Sequence, residues 1–316
     1  MISSSISNKS LKKFNFTAIN PSIKQYKELH NSLFTGANIS KEWIKWYHKD
    51  IPKSLDIETI TYAVFDNEML VGIWSVEPKL MKVNGEIIKV GRCFSVAIHE
   101  NYRRLGLFVA LSKFAINSEK NRGEFDYIIG FPQKGRSVIG GHLKAGWKII
   151  HEIPIYSAEN FEYENYPFST VEIISDFNHL SYNNNLEGSF IEDSEYRNTR
   201  WLNHPDLHYI NIKYNNSYLI LKVYSNFCHI LDMYGQKRDI IHLLKTAKNL
   251  SLRHGWVELN LWCSNNEFFK DEIIAAGFKE GANFGLPISV ISVEINATKP
   301  LILNNCHIQM GVEEGY

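Results

Sequence analysis

Val96-Ala97-Ile98-His99-Glu100-Asn101-Tyr102-Arg103-Arg104-Leu105-Gly106-Leu107-Phe108 decides the fold of this chain. An apolar strand runs into a basic, glycine-bearing turn, and the turn opens an amphipathic helix. Backbone N–H groups at a helix start have no partner inside the helix and stand at the positive end of its dipole, so such a turn favours a pyrophosphate. Arg103 and Arg104 add charge beside it. After Gly106, the residues Leu107, Phe108, Ala110, Leu111, Phe114 and Ala115 recur at helical spacing, and Gly123 supplies a stop after Lys120 and Arg122. Phe125-Asp126-Tyr127-Ile128-Ile129-Gly130-Phe131 reads as a strand. Pro132-Gln133-Lys134-Gly135-Arg136-Ser137 follows, and then a helix closing on Ala145-Gly146-Trp147.

The spelling from Arg103 to Phe108 resembles the (Q/R)-x-x-G-x-(G/A) acetyl-CoA loop of GNAT-family N-acyltransferases, departing at the last place, where Phe108 stands for Gly or Ala. Strand, loop, helix, strand, helix and a terminal Gly-aromatic pair is the order of a GNAT core. The resemblance implies acyl-CoA as cosubstrate, held by Val96, Ala97 and Ile98 together with Arg103, Arg104, Leu105, Gly106, Leu107 and Phe108. It implies that a backbone N–H on the strand polarises the thioester carbonyl, and that a bulge splays this strand from its neighbour to admit the pantetheine. The family's usual proton donor, a tyrosine four residues before the Gly-aromatic pair, is replaced here by His142, whose imidazole suits a leaving thiolate near neutral pH. The family's strand glutamate is missing from Arg92-Cys93-Phe94-Ser95-Val96, which leaves His99 and Glu100 as candidate bases. Cys93 is read as a small core residue and transfer as direct.

Gly130-Phe131-Pro132-Gln133 with Ser137 resembles a G-F-P-N...S pattern of bacterial GNAT proteins in surface polysaccharide pathways, including nucleotide-sugar N-acyltransferases. Gln133 stands where Asn is usual and keeps an amide able to bond the pantetheine arm or the acyl chain. The resemblance thus implies a nucleotide-linked amino-deoxysugar as acceptor, with an acetyl or 3-hydroxybutyryl donor. A peptide or protein amine, or a non-catalytic binding role, are the alternatives.

At 316 residues and 44% hydrophobic content the chain suits a globular protein of two domains. Lys plus Arg equal Asp plus Glu at 34 each, so no global field draws it to nucleic acid or an anionic membrane. Neither a signal peptide nor an apolar run of about 20 residues is present, and the reading is cytoplasmic. Cys93, Cys228, Cys263 and Cys306 lack C-x-x-C spacing, no H-E-x-x-H is found, and a metal is not implied.

The second half echoes the first. Tyr209 to Val223 repeats the hairpin pattern of Thr59 to Trp74, a helix from about Asp239 to Arg253 echoes the CoA helix, and Gly277-Phe278 repeats Gly146-Trp147. Asp232 to Arg238 has no R-x-x-G-x-G/A spelling, so the second half is expected not to bind CoA. The expected fold is mixed α/β (α+β): tandem GNAT-like domains, each a mixed central β-sheet flanked by helices. The expected limits are a CoA domain over 1–156, a polar linker over 157–185, a degenerate domain over 186–300 and a tail over 301–316. Trp43, Trp46, Tyr47, Trp74 and Trp201 are available for stacking, and the tail is left to add a strand or dock on a neighbour. A monomer and a homodimer are both open.

Overall fold

The computed structural model describes residues 10–21, 24–33, 39–51, 55–163, 171–178, 180 and 186–312. The Asn183-Asn184-Asn185 run of the expected linker and the N-terminal stretch from Met1 to Ser7 lie outside the described residues.

Strands β2 (Ile60–Asp66), β3 (Met69–Val83) and β4 (Glu86–Ile98) form an antiparallel meander behind edge strand β1 (Phe14–Ile19). Asn84 and Gly85 take φ of 52° and 82°, the geometry of a two-residue hairpin. The sequence predicts two strands between Met69 and Val83, but β3 is continuous because residues 70–79 are buried on both faces. β4 leads to α3 (Leu107–Arg122), which returns to β5 (Tyr127–Gly130), parallel to β4; α4 (Ser137–Lys144) and β6 (Lys148–Ile153) follow.

The second sheet repeats this connectivity. β10 (Ile210–Tyr214), β11 (Ser217–Tyr224) and β12 (Phe227–Tyr234) are an antiparallel meander; α6 (Lys237–His254) crosses to β13 (Glu258–Trp262), parallel to β12; α7 (Lys270–Ala275) and β14 (Lys279–Glu280) complete the series. Short strands β8 (Glu172–Ile173) and β9 (Ser189–Phe190) add to β10 and β3.

The remaining strands are exchanged. β7 (Ile155–Glu159), which ends the first half, lies between β13 and β14 of the second sheet. β15 (Ile288–Glu294), which ends the second half, lies between β5 and β6 of the first. Strand pairing therefore runs between the expected domains 1–156 and 186–300 in both directions. Apolar alternation specifies that a segment is a strand but not its partner, and Pro154 ends β6 so that the chain can leave the first sheet. A cut in the linker would leave each sheet without an internal strand.

α1 (Lys24–Leu33) and α2 (Lys41–Lys45) cover one face of the first sheet through Tyr26, Trp43, Ile73 and Phe94, and α3 and α4 cover the other through Trp74, Leu107, Leu111 and Trp147. A third apolar layer joins the two sheets through Met81, Ile129, Leu231 and Trp262. The described part of the tail fills this layer with Leu301, Leu303, Cys306, Ile308 and Met310 and adds no strand to either sheet. α2, capped by Ser40, runs into a π-helical turn, Trp46–Asp50; α5 (Ser194–Arg197), capped by Asp193, runs into a matching π turn, Asn198–Leu202. Trp46 Nε1 donates to the Thr199 carbonyl at 2.9 Å and ties the two turns together. No helix among the described residues is long and apolar enough to cross a membrane.

Candidate acyl-CoA site

The β4 strand changes character at Ser95. Register with β3 runs from Phe94 opposite Ser75 to Ala97 opposite Ile73, so Ser95 and Val96 bulge across from Trp74, with Ser95 at φ 45°. Parallel pairing with β5 covers only Val90 to Arg92. Beyond Arg92 the two strands diverge, as the resemblance to the CoA loop implied.

At the open end, the chain turns through Arg104 at φ 63° and Gly106 at φ 81° before α3 begins at Leu107. Gly106, at the N-cap of α3, sits in the left-handed region that favours glycine and offers no side chain to compete for the helix's first N–H groups. Arg103 Nε donates to the Ile98 carbonyl at 3.3 Å, which fixes the loop to the end of β4, while Arg104 is exposed. The first turn of α3 holds no acidic residue, so its N–H groups face a groove with positive potential.

That groove has a cavity volume of ≈ 780 Å³ and is walled by Val96, Ala97, Ile98, Arg103, Arg104, Gly106, Leu107, Phe108 and Ser137. The fold thus gathers nine of the residues expected to hold CoA. It also adds Tyr102, Val138, Gly140, Gly141 and Lys144, which sequence reasoning missed. The Gly140-Gly141 pair in the helix before Gly146 was the available signal.

Phe108, the departure from the family spelling, is accommodated by Gly141. A Cβ built on Gly141 would stand 2.6 Å from the Phe108 ring. Gly141→Val should therefore push Phe108 into the groove and destabilise the fold by about 1–3 kcal/mol, the usual cost of overpacking. A double variant with Phe108→Ala should recover most of that loss, and urea midpoints of the two single variants and the pair measure the coupling.

Other expected site residues lie off the groove wall. Leu105 is exposed. Gln133 accepts from Arg136 Nε at 3.0 Å inside its own loop, so its amide oxygen is engaged there and not in the groove. His99 Nδ1 accepts the Asn101 N–H and caps a short 3-10 turn, Glu100–Tyr102, with Glu100 exposed in that turn. His142 is the main correction. It is 4% exposed, and its ring is enclosed between Phe108 and Trp147 at 4.9 and 4.7 Å. Burial lowers its pKa to about 4, so it is neutral near pH 7, and it does not line the groove. α4 turns this position inward because Gly141 lets the helix sit close to Phe108 of α3.

A histidine buried neutral makes stability fall on acidification: the unfolded chain binds the proton at about 6.5 and the folded chain only at about 4. Stability supplied by His142 is complete above 6.5 and is lost as pH falls from 6.5 towards 4. His30 shares this window, with burial lowering it to about 4. His142→Gln should accordingly flatten the decline in urea midpoint between pH 7 and 5, and an unchanged decline would remove His142 as a source of acid sensitivity.

The aromatic side chains proposed for stacking are mostly core. Trp43, Trp46, Tyr47, Trp74 and Trp201 are all buried, with Trp43 stacked on Tyr47 at 4.7 Å, and Trp201 also borders a cavity between the sheets. All four cysteines are buried and outside disulfides, Cys93 in the core beneath α3.

The carboxylate missing from β4 stands directly opposite it. Glu77 on β3 is the register partner of Arg92, whose Nε donates to Glu77 Oε2 at 2.7 Å. Lys79 lies 3.5 Å from Glu77 and 3.7 Å from Glu192, and the Arg92 guanidinium also donates to the Tyr47 hydroxyl. Burial alone would raise the Glu77 carboxyl, but Lys79 and then Arg92 outweigh it and hold it at about 2. A group so acidic is a poor proton acceptor and a good anchor between the halves.

The second half lacks the phosphate cradle. Asp239 occupies the first turn of α6, accepting from Ser217 Oγ at 3.1 Å and Asn215 Nδ2 at 3.2 Å, so a carboxylate of the chain sits where a phosphate would. The bulge of β12 is covered by the tail, where a Cβ on Gly311 would stand 2.9 Å from the Leu231 carbonyl oxygen.

No protein-family model and no curated protein matches the sequence. Solved structures do resemble it. A probable N-acyltransferase of Enterococcus faecalis V583 superposes with TM-score 0.64 at 12% identity, over 90% of this chain and 73% of that one. A GCN5-related N-acetyltransferase of Anabaena variabilis ATCC 29413 gives the same values. Saccharomyces cerevisiae N-myristoyltransferase with bound myristoyl-CoA gives TM-score 0.59 at 10% identity, over 89% and 83%. At such identities the likeness establishes the fold.

Proposed function

We propose that this chain, built on the fold of GCN5-related N-acetyltransferases, is an acyltransferase that moves an acyl group from acyl-CoA directly to a primary amine. One observation carries the reading: a single groove joins the bulged end of β4 to the Arg104–Gly106 helix start. The pyrophosphate lies on the N–H groups opening α3, beside Arg104. The pantetheine enters where β4 and β5 diverge, and the N–H of Val96 or Ala97 receives the charge that develops on the thioester oxygen. The reaction takes place in the cytoplasm, needs no metal, and uses one CoA site per chain.

The acceptor we propose is a nucleotide-linked amino-deoxysugar, acylated with an acetyl or 3-hydroxybutyryl group for surface polysaccharide. The Gly130-Phe131-Pro132-Gln133 and Ser137 spelling supports it. The second reading, a peptide or protein amine, is favoured by the likeness to N-myristoyltransferase, which covers both halves of the chain. A thiol-release assay with acetyl-CoA, 3-hydroxybutyryl-CoA and myristoyl-CoA, each against nucleotide-linked amino sugars and N-terminal glycine peptides, separates them. Release dependent on one amino sugar supports the first reading. Release only with peptide moves the assignment to the second, and silence across the panel overturns both.

A further inference from the structure

Beneath α1, a line of hydrogen-bonding groups crosses the apolar face of the first sheet. Tyr26 Oη lies 3.1 Å from His48 Nε2, and the same hydroxyl is hydrogen-bonded to Ser95 and to Ser75, which is itself paired with Thr61. Tyr26 is fully buried, and Ser95 and His48 are 5% and 4% exposed. One end of the line is the β4 bulge, since Ser95 is the residue at φ 45° and its neighbours Val96 and Ala97 wall the CoA groove. The other end reaches the surface on the far side: His48 borders two adjoining cavities of ≈ 300 and ≈ 650 Å³, both also walled by Asn20, Pro21 and Lys49.

Local backbone geometry sets the line in place. A π turn, Trp46–Asp50, widens the helix after α2 and places His48 under Tyr26; such turns recur at functional sites. The second half keeps the π turn and its capping residue but not the chemistry. The residue eight positions after the Ser40 cap is His48, and the residue eight positions after the Asp193 cap is Trp201. The half without a CoA cradle is therefore also the half without the imidazole.

We propose that Ser95, Tyr26 and His48 form the proton relay of the first half, drawing a proton from the acceptor ammonium at the bulge and delivering it to the opposite surface. The proposal rests on the acyltransferase reading above. An acceptor arriving as an ammonium must lose one proton before its lone pair attacks the thioester carbon. Ser95 Oγ takes that proton and passes its own to Tyr26 Oη, which passes its own to His48 Nε2; the imidazolium then loses a proton to water in the cavities. Attack forms the C–N bond, collapse breaks the C–S bond, and the second amine proton goes to the thiolate sulfur. No further reactant is needed.

Titratable and charged groups about His48 are Tyr26 from α1, Tyr47, Lys45 and Lys49 from its own turn, Lys41 from α2, and Glu58 ahead of β2. Ser95 and Phe94 from β4 carry no charge.

The test uses the full chain, the acyl-CoA and amine that give thiol release with wild type, and two variants. Tyr26→Phe keeps the ring and removes the relay hydroxyl. His48→Ala opens a space beside the two cavities that added imidazole can enter. Both variants should bind CoA like wild type while kcat falls ~10²-fold or more, the usual share of a positioned proton acceptor. Imidazole should restore His48→Ala but not Tyr26→Phe, and the acidic limb of the wild-type kcat profile should be missing from His48→Ala without imidazole. If both variants turn over within threefold of wild type, or imidazole rescues neither, the relay is overturned and the acyltransferase reading stands. If wild type binds CoA yet acylates no amine, the acyltransferase reading itself fails and takes the relay with it.

Discussion

Replacing Arg104 by glutamate should abolish most of the rise in melting temperature that CoA gives the wild-type protein. Arg104 is exposed at φ 63° beside the opening turn of α3, whereas the neighbouring Arg103 is already tied to the Ile98 carbonyl. The substitution removes an attraction to the pyrophosphate and adds a repulsion in the same place. A loss of ~100-fold in affinity corresponds to about 2.7 kcal/mol. At a CoA concentration of about 100 times the wild-type Kd, binding stabilises the native state by about 2.7 kcal/mol; a 100-fold weaker site leaves about 0.4 kcal/mol. Thermal melts of both proteins at one CoA concentration check this. Full retention of the shift in the variant would place the ligand somewhere other than this loop.

The second large effect concerns stability. Arg92→Ala should cost about 3–5 kcal/mol, because it leaves the Glu77 carboxylate buried without the partner that donates to it at 2.7 Å. A variant that replaces Glu77 and Arg92 together by leucine and methionine should cost far less, since no unpaired charge remains apart from Lys79, which keeps Glu192. Urea unfolding of the single and double variants measures the difference. The pH dependence has a definite sign. Glu77 titrates at about 2 in the folded chain against 4.5 ordinarily, so its contribution is complete above 4.5 and is lost as pH falls from 4.5 towards 2. The buried histidines fail first, between 6.5 and 4, and the carboxylate follows.

The basic turn, the helix after Gly106 and the hairpins were legible because each is a local pattern: a glycine at a left-handed position, an apolar period of three to four, or an Asn-Gly turn. The repeated connectivity was legible for the same reason. The exchange of β7 and β15 was not, since Ile155–Glu159 and Ile288–Glu294 look alike as strands and their partners lie in the other half of the chain. His142 was misplaced because counting back from Gly146 gives a helix position but not the face it presents. Glu77 was within reach. Register counted outward from Asn84-Gly85 puts it across from Arg92, and the missing strand carboxylate would have been found on the neighbouring strand. Tyr26 and Ser95 could not have been joined by any local count, because a bulge and a π turn bring them together.

The most direct measurement of the central claim is calorimetric titration of CoA into the purified chain. The account predicts one equivalent per chain, lost in Arg104→Glu and kept in Asp239→Asn, because only the first half has a helix start open to a pyrophosphate. Absence of binding to wild type, or two equivalents per chain, would contradict it.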